Sequence, residues 1–336
     1  MNARQSIIPV FVPHLGCPNN CVFCNQRRIS GMPEPATEKT VVNAIENAAA
    51  LTPMGTKRQL AFYGGSFTAI PAHEQEALLA AAKPYLDRGI ISSIRLSTRP
   101  DAIDEEVLER LRKYRVETVE LGAQSLDDNV LYLSGRGHSS KEVEDASRLV
   151  KEKGFKLILQ MMTGLPGDSE ETSIETARKI IALKPDGVRI YPTVIVRDTE
   201  LYDMWQKGEY EEHSVENAVH VCSKLVPLFD EAEIPIIRMG LNPTEELSGG
   251  SAVGGAYHPA LGEMVHSRIM RNKAEHLIEN AEGKNLVIGV NRSDISKMTG
   301  QHRCNVEYLI EKFGLKSLKI KAANVEKGEI TILSLD

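Results

Sequence analysis

Three of the five cysteines of this chain lie in one stretch, Cys17-Pro18-Asn19-Asn20-Cys21-Val22-Phe23-Cys24. Thiolates bind metals, and the C-x3-C-x2-C spacing puts three sulfurs within reach of one ion or one small cluster. A disulfide framework is disfavoured, because the number of cysteines is odd and the residues after Met1 do not resemble a signal peptide. The stretch therefore predicts a metal site that the rest of the chain completes.

Two kinds of metal site fit these cysteines. Structural zinc takes four closed ligands, and His14 could be the fourth, but zinc cysteines usually form two separated pairs. A [4Fe–4S] cluster normally takes four cysteines, so three would leave one iron open to a small molecule. Cys304 or Cys222 could supply a fourth ligand, although Cys222 lies in a helical pattern typical of a small buried side chain. The spacing favours the open cluster and leaves zinc as the alternative.

The rest of the chain alternates strand-like and helical runs. Six such βα units precede residue 199 and predict a parallel sheet covered by helices. A doubly wound sheet remains possible, but polar or glycine-rich loops after every strand favour a partial (βα)6 TIM-like barrel. The length of 336 residues suits one barrel with a small C-terminal α/β domain. The predicted domains are residues 1–240 for the barrel, 241–265 for a glycine-rich lid or linker, and 266–336 for the small domain.

The loops after the predicted strands carry residues that suit ligand binding. In a barrel these loops meet on one rim, so we expect a single site there. Glycine lets a ligand approach the backbone, arginine binds carboxylates, and amides and hydroxyls can meet ribose hydroxyls. The loop segments are Gly64-Gly65-Ser66, Thr98-Arg99, Gln124-Ser125, Gly164-Leu165-Pro166-Gly167 and Tyr191-Pro192-Thr193.

The cysteine spacing, with the aromatic Phe23 before the last cysteine, resembles the signature of the radical SAM enzymes. The resemblance implies that Cys17, Cys21 and Cys24 hold a [4Fe–4S] cluster whose open iron binds S-adenosylmethionine. In that family an electron from the cluster cleaves S-adenosylmethionine to methionine and a 5′-deoxyadenosyl radical. An external electron donor, similar to flavodoxin or ferredoxin, would be a partner.

Later segments resemble the radical SAM domain of the Elongator catalytic subunit, because they occur in the same order and at nearly the same spacing. The resemblance covers roughly residues 7–240. The segments are Thr98 to Asp101, Glu120 to Ser125, Arg136-Gly137-His138, Gly164 to Gly167 and Ile190 to Thr193. The resemblance implies contacts to S-adenosylmethionine from Phe23, Gly64, Gly65, Ser66, Thr98, Arg99, Gln124, Ser125, Arg136, Gly164, Leu165, Pro166 and Tyr191.

Two departures from the Elongator pattern limit what is carried over. The Elongator subunit spaces its first two cysteines further apart, and it continues into an acetyltransferase-like domain for which this chain is too short. We therefore expect a shorter bacterial Elongator-like protein, and the acetyl-CoA-dependent chemistry is not carried over.

Residues 286–320 predict strand, helix, turn, helix and strand, an order that resembles the core of a KH domain. A KH domain clamps a nucleic-acid backbone with a Gly-x-x-Gly turn. Here the turn is Gly300-Gln301-His302-Arg303, so arginine replaces the second glycine. Residues 266–336 carry a net charge of +3, with 12 Lys and Arg against 9 Asp and Glu. We predict RNA contacts from Gly300 and Arg303, with a small α/β cap as the alternative.

A glycine-rich stretch, residues 247–259, could form a lid that excludes water from a reactive intermediate, or a linker. Tyr257, His258 and Glu263 are the predicted substrate contacts in and after this stretch.

Composition sets the remaining expectations. The net charge of −6 does not indicate a nucleic-acid binder as a whole. Without a run of about 18 apolar residues, and with reduced metal-ligand cysteines, we expect a cytoplasmic protein. The patterns together predict a radical SAM enzyme that modifies RNA, specifically tRNA. A radical enzyme acting on a small molecule, or a non-catalytic zinc or RNA-binding protein, are the alternatives.

Overall fold

The computed structural model of the chain describes residues 5–12, 17, 21–25, 36–53, 55–245, 247–279 and 283–336. His14, the possible zinc ligand, lies outside these residues. The chain divides into two compact units. The first comprises Met1–Ser214 and Leu228–Tyr257, and the second comprises Val215–Pro227 and His258–Asp336. The domain boundaries given above, at residues 240 and 265, stay a prediction.

The first unit is built on a parallel sheet. Its strands are β1 (Gln5–Phe11), β2 (Lys57–Tyr63), β3 (Ser93–Thr98), β4 (Val116–Gln124), β5 (Lys156–Thr163), β6 (Gly187–Pro192), β7 (Val194–Val196), β8 (Ile236–Met239) and β9 (Ala252–Gly255). Among the described residues, β1 to β6 and β8 form one sheet in chain order, with parallel neighbours throughout. The predicted α/β fold with a partial barrel is therefore confirmed.

Helices connect these strands. They are α1 (Glu38–Leu51), α2 (Ala72–Asp87), α3 (Glu105–Lys113), α4 (Asp128–Leu133), α5 (Ser140–Glu152), α6 (Glu170–Ala182), α7 (Glu200–Gln206) and α8 (Val215–Glu231). Their starts follow from local chemistry, because a side-chain oxygen satisfies backbone N–H groups that lack helical partners. Thr37 caps α1, accepting from Thr40 N at 3.3 Å, while Thr40 Oγ1 accepts from Thr37 N at 3.2 Å.

Alternation along the strands separates an apolar face from a polar face. On β4, for example, Val119 and Leu121 are fully buried, whereas Glu120 between them joins a network of polar side chains. In that network Arg189 of β6 donates from Nη2 to the Tyr63 hydroxyl of β2 at 3.1 Å. In a flat sheet β2 and β6 would lie about 19 Å apart, four strand spacings. The sheet is therefore curved, and its polar face is the concave one.

The glycine-rich stretch contributes ordered structure to the first unit. Leu247–Ser251 forms a helical turn. The next residues form β9, which pairs antiparallel with β7 in a ribbon where Val194 lies opposite Gly255. Gly255 has φ +78°, and a Cβ there would lie 2.6 Å from Thr193 O, so the pairing requires glycine. Residues 252–255 of the stretch thus belong to a β-ribbon, and the lid or linker role of residues 241–265 stays a prediction.

The second unit is a small α/β structure. Its elements are the first part of α8 (residues 215–227), α9 (Leu261–Ile278), β10 (Asn285–Val290), α10 (Ile295–Thr299), α11 (Cys304–Phe313), β11 (Ser317–Ala322) and β12 (Ile330–Leu335). The sheet order is β11-β10-β12, with β11 parallel and β12 antiparallel to β10. The predicted strand-helix-helix-strand order is present, and β12 is an addition that the sequence did not indicate. Buried Asn305 ties the elements together, since its amide donates to Ser267 O at 3.0 Å and Lys297 O at 3.1 Å.

In the part of the chain that the structure describes, every helix is too short or too polar to cross a lipid bilayer.

Candidate functional site

The cysteine loop follows β1, and its residues 21–24 are held by backbone hydrogen bonds. Val22 N donates to Ser134 O, just after α4, at 3.1 Å, and Val22 O accepts from Leu201 N, in the first turn of α7, at 2.8 Å. Cys24 N donates to Cys21 O at 3.0 Å, which closes a tight turn between two of the three cysteines. The positions of Cys21 and Cys24 are thus set by two helices that are distant in the sequence.

Apolar contacts anchor the same loop. Val22 is buried in a cluster with Ile195, Leu201 and Tyr210, against which Trp205, the only tryptophan of the chain, also packs. Phe23 packs both on this cluster and on a second one, formed by Val130, Met162 and Leu165 with Tyr191. The aromatic residue before the last cysteine therefore joins the loop to the ends of β5 and β6.

Two arginines lie beside the thiols. Arg136 donates from Nη1 to Cys21 Sγ at 3.1 Å and from Nη2 to Gly122 O at 2.8 Å. Arg99 donates from Nη2 to Arg136 O at 2.6 Å and forms an ion pair with Asp101 at 2.9 Å. Because these bonds fix its backbone and guanidinium, Arg136 holds a defined position next to a predicted metal ligand.

The Cys17 thiol lies in the same neighbourhood. Although its side chain is exposed, desolvation by the surrounding protein raises the pKa of Cys17, and the neighbouring Cys21 raises it further. The charges of Arg99 and Arg136 and a hydrogen bond from the Ser66 backbone act in the opposite direction on the Cys17 pKa. Two of the three thiols are therefore close enough to interact electrostatically.

The described residues contain no group of three or more His, Cys, Asp and Glu side chains placed as a ready set of metal ligands. The donor set nevertheless fits an iron–sulfur cluster, whose ligands are thiolates. Cys17, Cys21 and Cys24 lie on one loop, and the guanidinium of Arg136 donates to the sulfur of Cys21.

A hydroxyl network holds the segment after β2 against the end of β3. The hydroxyls of Ser66 and Thr98 are 2.9 Å apart, and those of Thr68 and Thr98 are 2.6 Å apart. Arg99 N donates to Ser66 Oγ at 3.1 Å. Gly64 precedes this segment with φ +100°, a conformation that favours glycine. The Gly64-Gly65-Ser66 and Thr98-Arg99 segments are thus brought together, as predicted for one rim.

The end of β4 has an unusual backbone. Gln124 has φ +66°, and its side chain folds back over Gly122, where a Cβ would lie 2.7 Å from Gln124 Nε2. Gln124 Oε1 accepts from Gln160 Nε2 at 3.0 Å. Ser125 is 2% exposed, and its hydroxyl accepts from Asp127 N at 3.1 Å. Ser125 therefore has a structural partner in the chain itself, at the start of α4.

The loop after β5 is held from both sides. Asp168 accepts from Gly164 N at 2.7 Å and from Ser173 Oγ at 2.7 Å, which fixes the loop to the start of α6. On the other side the Tyr210 hydroxyl donates to Gly164 O at 2.6 Å. Leu165 and Pro166 are buried. The loop is thus held from both sides and lies beside Phe23, and its contact with a cofactor stays a prediction.

Comparison with known proteins decides the family. The sequence model of the radical SAM superfamily matches residues 11–180, half of the chain. The chain belongs to the radical SAM superfamily. A second model, of the radical SAM C-terminal domain, matches residues 185–271. The radical SAM match contains all three cysteines of the loop and every strand end from β2 to β5.

Curated relatives match this radical SAM chain in part. It is 37% identical over 131 residues to the tRNA uridine(34) acetyltransferase of Methanocaldococcus infernus, which covers 38% of this chain and 24% of that protein. It is 32% identical over 165 residues to human Elongator complex protein 3, which covers 48% of this chain and 30% of that protein. The alignments thus span only a quarter to a third of the length of these relatives.

The solved structure of the archaeal Methanocaldococcus infernus Elp3 with an N-terminal deletion superposes with a TM-score of 0.63. The identity is 24%, and the superposition covers 82% of this chain and 64% of that one. Coproporphyrinogen III oxidase from Escherichia coli, described as a radical SAM enzyme, gives a TM-score of 0.50 at 17% identity, over 68% of this chain and 53% of that one. These likenesses show the radical SAM fold.

The structure also shows site residues that the sequence analysis missed. They are the polar residues on the concave face, Tyr63, Arg95, Glu120, Gln160 and Arg189, and the loop anchors Asp168, Tyr210 and His213. A signal existed for the first set, because a charged residue inside an otherwise apolar strand of a parallel sheet needs a partner.

The three predicted substrate contacts, Tyr257, His258 and Glu263, do not all belong to the same unit. Tyr257 belongs to the first unit, where its hydroxyl lies 2.9 Å from Ser248 Oγ. His258 and Glu263 belong to the second unit, where His258 Nδ1 accepts from Ala260 N at 3.1 Å and Glu263 is exposed. Their contact with a substrate stays a prediction.

Two histidines in the described part of the radical SAM unit, buried His138 and half-buried His213, predict a loss of stability in acid. Burial lowers the pKa of both His138 and His213 to about 4, with the charge of Arg136 adding to the effect on His138. In the unfolded chain a histidine has a pKa of about 6.5 and binds protons more readily. The free energy of unfolding should therefore fall as the pH drops from about 6.5 to about 4, by roughly 3 kcal/mol per histidine.

Denaturant titrations at pH 7 and pH 4.5 check this expectation. The His213→Gln variant should lose less stability between the two pH values than the wild type. Substitution of the exposed His276 by glutamine is the matched control and should leave the pH dependence unchanged. Equal acid sensitivity of His213→Gln and wild type would contradict it.

Proposed function

We propose that the chain reductively cleaves S-adenosylmethionine at a [4Fe–4S] cluster held by Cys17, Cys21 and Cys24, in order to modify tRNA. The observation that carries the first part is the fixed loop with three thiols at the carboxyl edge of a parallel half-barrel, in a chain of the radical SAM superfamily. When bound, the cluster and S-adenosylmethionine supply an electron and a 5′-deoxyadenosyl radical.

The chain's own residues have positioning roles in this proposal. Arg136 orients Cys21 and contributes positive charge beside the thiols. The Gly64 to Ser66 segment offers a backbone that a ligand can approach closely, next to Arg99, whose guanidinium suits a carboxylate. Phe23 with Leu165 and Tyr191 forms an apolar wall that excludes water.

Anaerobic reconstitution tests the cleavage. The purified protein should bind iron and sulfide, absorb as an iron–sulfur protein, and release 5′-deoxyadenosine when given dithionite and S-adenosylmethionine. Zinc without iron in anaerobic material, or no 5′-deoxyadenosine from a reconstituted cluster, would refute it.

The tRNA substrate has separate support. Similar relatives are a tRNA uridine(34) acetyltransferase and Elongator complex protein 3. In the second unit, Arg303 is exposed in a turn before α11 and has φ +66°, the backbone conformation that a second glycine would take. At Gly300 a Cβ would lie 2.6 Å from Cys304 Sγ, so the turn itself is tight.

Mass spectrometry of tRNA nucleosides from deletion and wild-type strains should show one lost modification. An unchanged profile would favour a small-molecule substrate.

Removing the Arg303 side chain should weaken RNA binding. Arg303→Ala is expected to lower tRNA affinity several-fold and to reduce the slope of log affinity against log salt by about one. The matched control is Arg148→Ala, an exposed arginine on α5 of the first unit that pairs with Asp145. Equal tRNA affinities of the two variants would remove the Arg303 side chain from the RNA interface.

Arg136 should set the reduction potential of the bound cluster. An N–H donor to a cluster ligand stabilises the additional negative charge of the reduced state, so its loss lowers the potential. Arg136→Met is therefore expected to shift the midpoint potential down by about 60 mV, the one-electron equivalent of one charge-assisted hydrogen bond. Spectroelectrochemical titration without S-adenosylmethionine measures the shift, and Arg148→Met should show none.

A further inference from the structure

A cluster of ionised side chains occupies the concave face of the half-barrel. At its centre is Glu120, whose side chain is 4% exposed. Its carboxylate accepts from Arg95 Nη1 at 2.8 Å and from Arg189 Nε at 2.8 Å and Nη2 at 3.2 Å. The Tyr63 hydroxyl donates to the same carboxylate at 3.4 Å. We call Arg95, Glu120 and Arg189 the inner charge cluster.

The inner charge cluster has an excess of positive charge. Two guanidinium groups face the Glu120 carboxylate, and the other carboxylate near Arg95, that of Glu117, is already paired with Lys156, so the net charge is +1. Glu120 already accepts several hydrogen bonds and has little capacity left. Taking an uncompensated charge out of water is costly, and an anionic group from outside would compensate it.

The two arginines differ in the donors that they have left. A guanidinium has five N–H groups. Arg189 uses Nε and Nη2 on Glu120 and Tyr63, and Nη1 on the Tyr191 hydroxyl at 3.1 Å. Arg95 donates from Nε to Gln59 and from Nη1 to Glu120, and also interacts with Tyr63, which leaves at least two N–H groups. Arg95 therefore offers the paired donors that carboxylates and phosphates prefer.

The cluster is reachable and lies close to the candidate cofactor site. The side chains of Arg95 and Arg189 are each 12% exposed, against 4% for Glu120. Arg189 precedes by two residues Tyr191, which packs near Phe23 of the cysteine loop. Glu120 likewise precedes Gly122, whose carbonyl holds Arg136. Two strand residues span about 7 Å, so the cluster lies one layer below the rim.

We propose that Arg95 and Arg189, held in place by Glu120, bind an anionic oxygen group of the substrate, a phosphate or a carboxylate, inside the half-barrel. This inference rests on the proposed function, because it assigns the substrate side of the same site. The rim residues face the cofactor, and the inner charge cluster orients the molecule that meets the radical.

The charge of the cluster separates this role from a purely structural one. Glu120→Gln raises the net charge of the cluster from +1 to +2, so an anion site should bind its ligand more tightly. If the three side chains only stabilise the fold, the same change breaks the network and cannot improve binding. Arg95→Gln removes the free donors and should weaken binding about tenfold, the effect of one charge-assisted hydrogen bond.

The experiment is a calorimetric titration of the reconstituted holoprotein with inorganic phosphate and, in a second arm, with propionate. Each arm is run without S-adenosylmethionine and again with S-adenosylmethionine bound. We expect binding in the wild type and in the exposed control Arg148→Gln, about tenfold weaker binding in Arg95→Gln, and several-fold tighter binding in Glu120→Gln. Arg95→Lys keeps the charge without the paired donors and should fall between wild type and Arg95→Gln. The arm with the tighter binding identifies the anion.

Three results would overturn the proposal. The first is that Arg95→Gln and Arg95→Lys leave the phosphate and propionate affinities at the wild-type value. The second is weaker anion binding in a folded Glu120→Gln variant. The third is displacement of both anions by S-adenosylmethionine, which would assign the cluster to the cofactor's own carboxylate. The titration needs no cleavage of S-adenosylmethionine, so its failure is distinguishable from a failure of the proposed reaction.

Discussion

Replacing any one of Cys17, Cys21 and Cys24 by serine is expected to abolish cluster binding and the formation of 5′-deoxyadenosine. All three thiolates are the proposed ligands of an iron–sulfur cluster, and a hydroxyl is a poor substitute for a thiolate. Since loss of even an outer contact of a metal site costs 10- to 100-fold, loss of a ligand should cost at least about 100-fold. Iron content, iron–sulfur absorption and chromatography of 5′-deoxyadenosine after anaerobic reconstitution measure the effect.

Cys304→Ser is the matched control for these variants. Cys304 is an exposed cysteine at the start of α11 in the second unit, and the sequence alone leaves it open as a fourth ligand. The variant should retain iron, absorption and 5′-deoxyadenosine at the wild-type level. Loss of the cluster in Cys304→Ser, or a cluster retained in one of the three loop variants, would contradict the assigned ligand set.

The Gly164→Ala substitution is expected to lower the free energy of unfolding by about 3 kcal/mol or more. A Cβ at this position would lie 2.1 Å from His213 Cγ, so the side chain or the loop must move. The backbone adds strain, because Gly164 has φ +73°, which a residue with a Cβ rarely adopts. Overpacking and such strain each cost about 1–3 kcal/mol. Denaturant titration at pH 7 measures the loss.

Gly154→Ala separates the two causes. Gly154 has φ +79°, and a Cβ there would meet nothing within 4 Å, so this variant carries the backbone strain alone. It should be destabilised less than Gly164→Ala. A Gly164→Ala/His213→Ala double variant should recover the steric part. Equal losses in Gly154→Ala and Gly164→Ala would show that the contact with His213 has no energetic weight.

Much of the fold could be predicted, because it is encoded locally. Thr37 caps α1 and Asp104 caps α3, each through a bond to an N–H three residues later. The strands β2 to β6 were predicted from short apolar runs between helical patterns, and their order in the sheet follows the chain. Membership of the radical SAM superfamily was predicted from the cysteine spacing and the segments at the strand ends, and the match of the family's sequence model confirms it.

Other elements depend on partners that are remote in the sequence. The ribbon of β7 and β9 pairs Val194 with Gly255, and short strands of this kind have no periodicity to detect. Ser125 was predicted to contact the cofactor, and its hydroxyl also accepts from the start of α4, a short helix that the sequence did not indicate. The role of Asp168 is visible only once Gly164, Thr172 and Ser173 surround it.

The sequence by itself determined the chemistry of the candidate metal ligands and the direction of the strands, since three thiols on one loop and alternating βα units are properties of neighbouring residues. Tertiary structure decided which side chains face one another. Arg95, Glu120 and Arg189 lie on three strands, and only the curvature of the sheet brings their charges within hydrogen-bond distance. Arg136 likewise reaches Cys21 across more than a hundred residues, because the end of β4 and the cysteine loop meet at the same edge. Spacing along the chain encodes a ligand set, whereas the charge balance around it arises from folding.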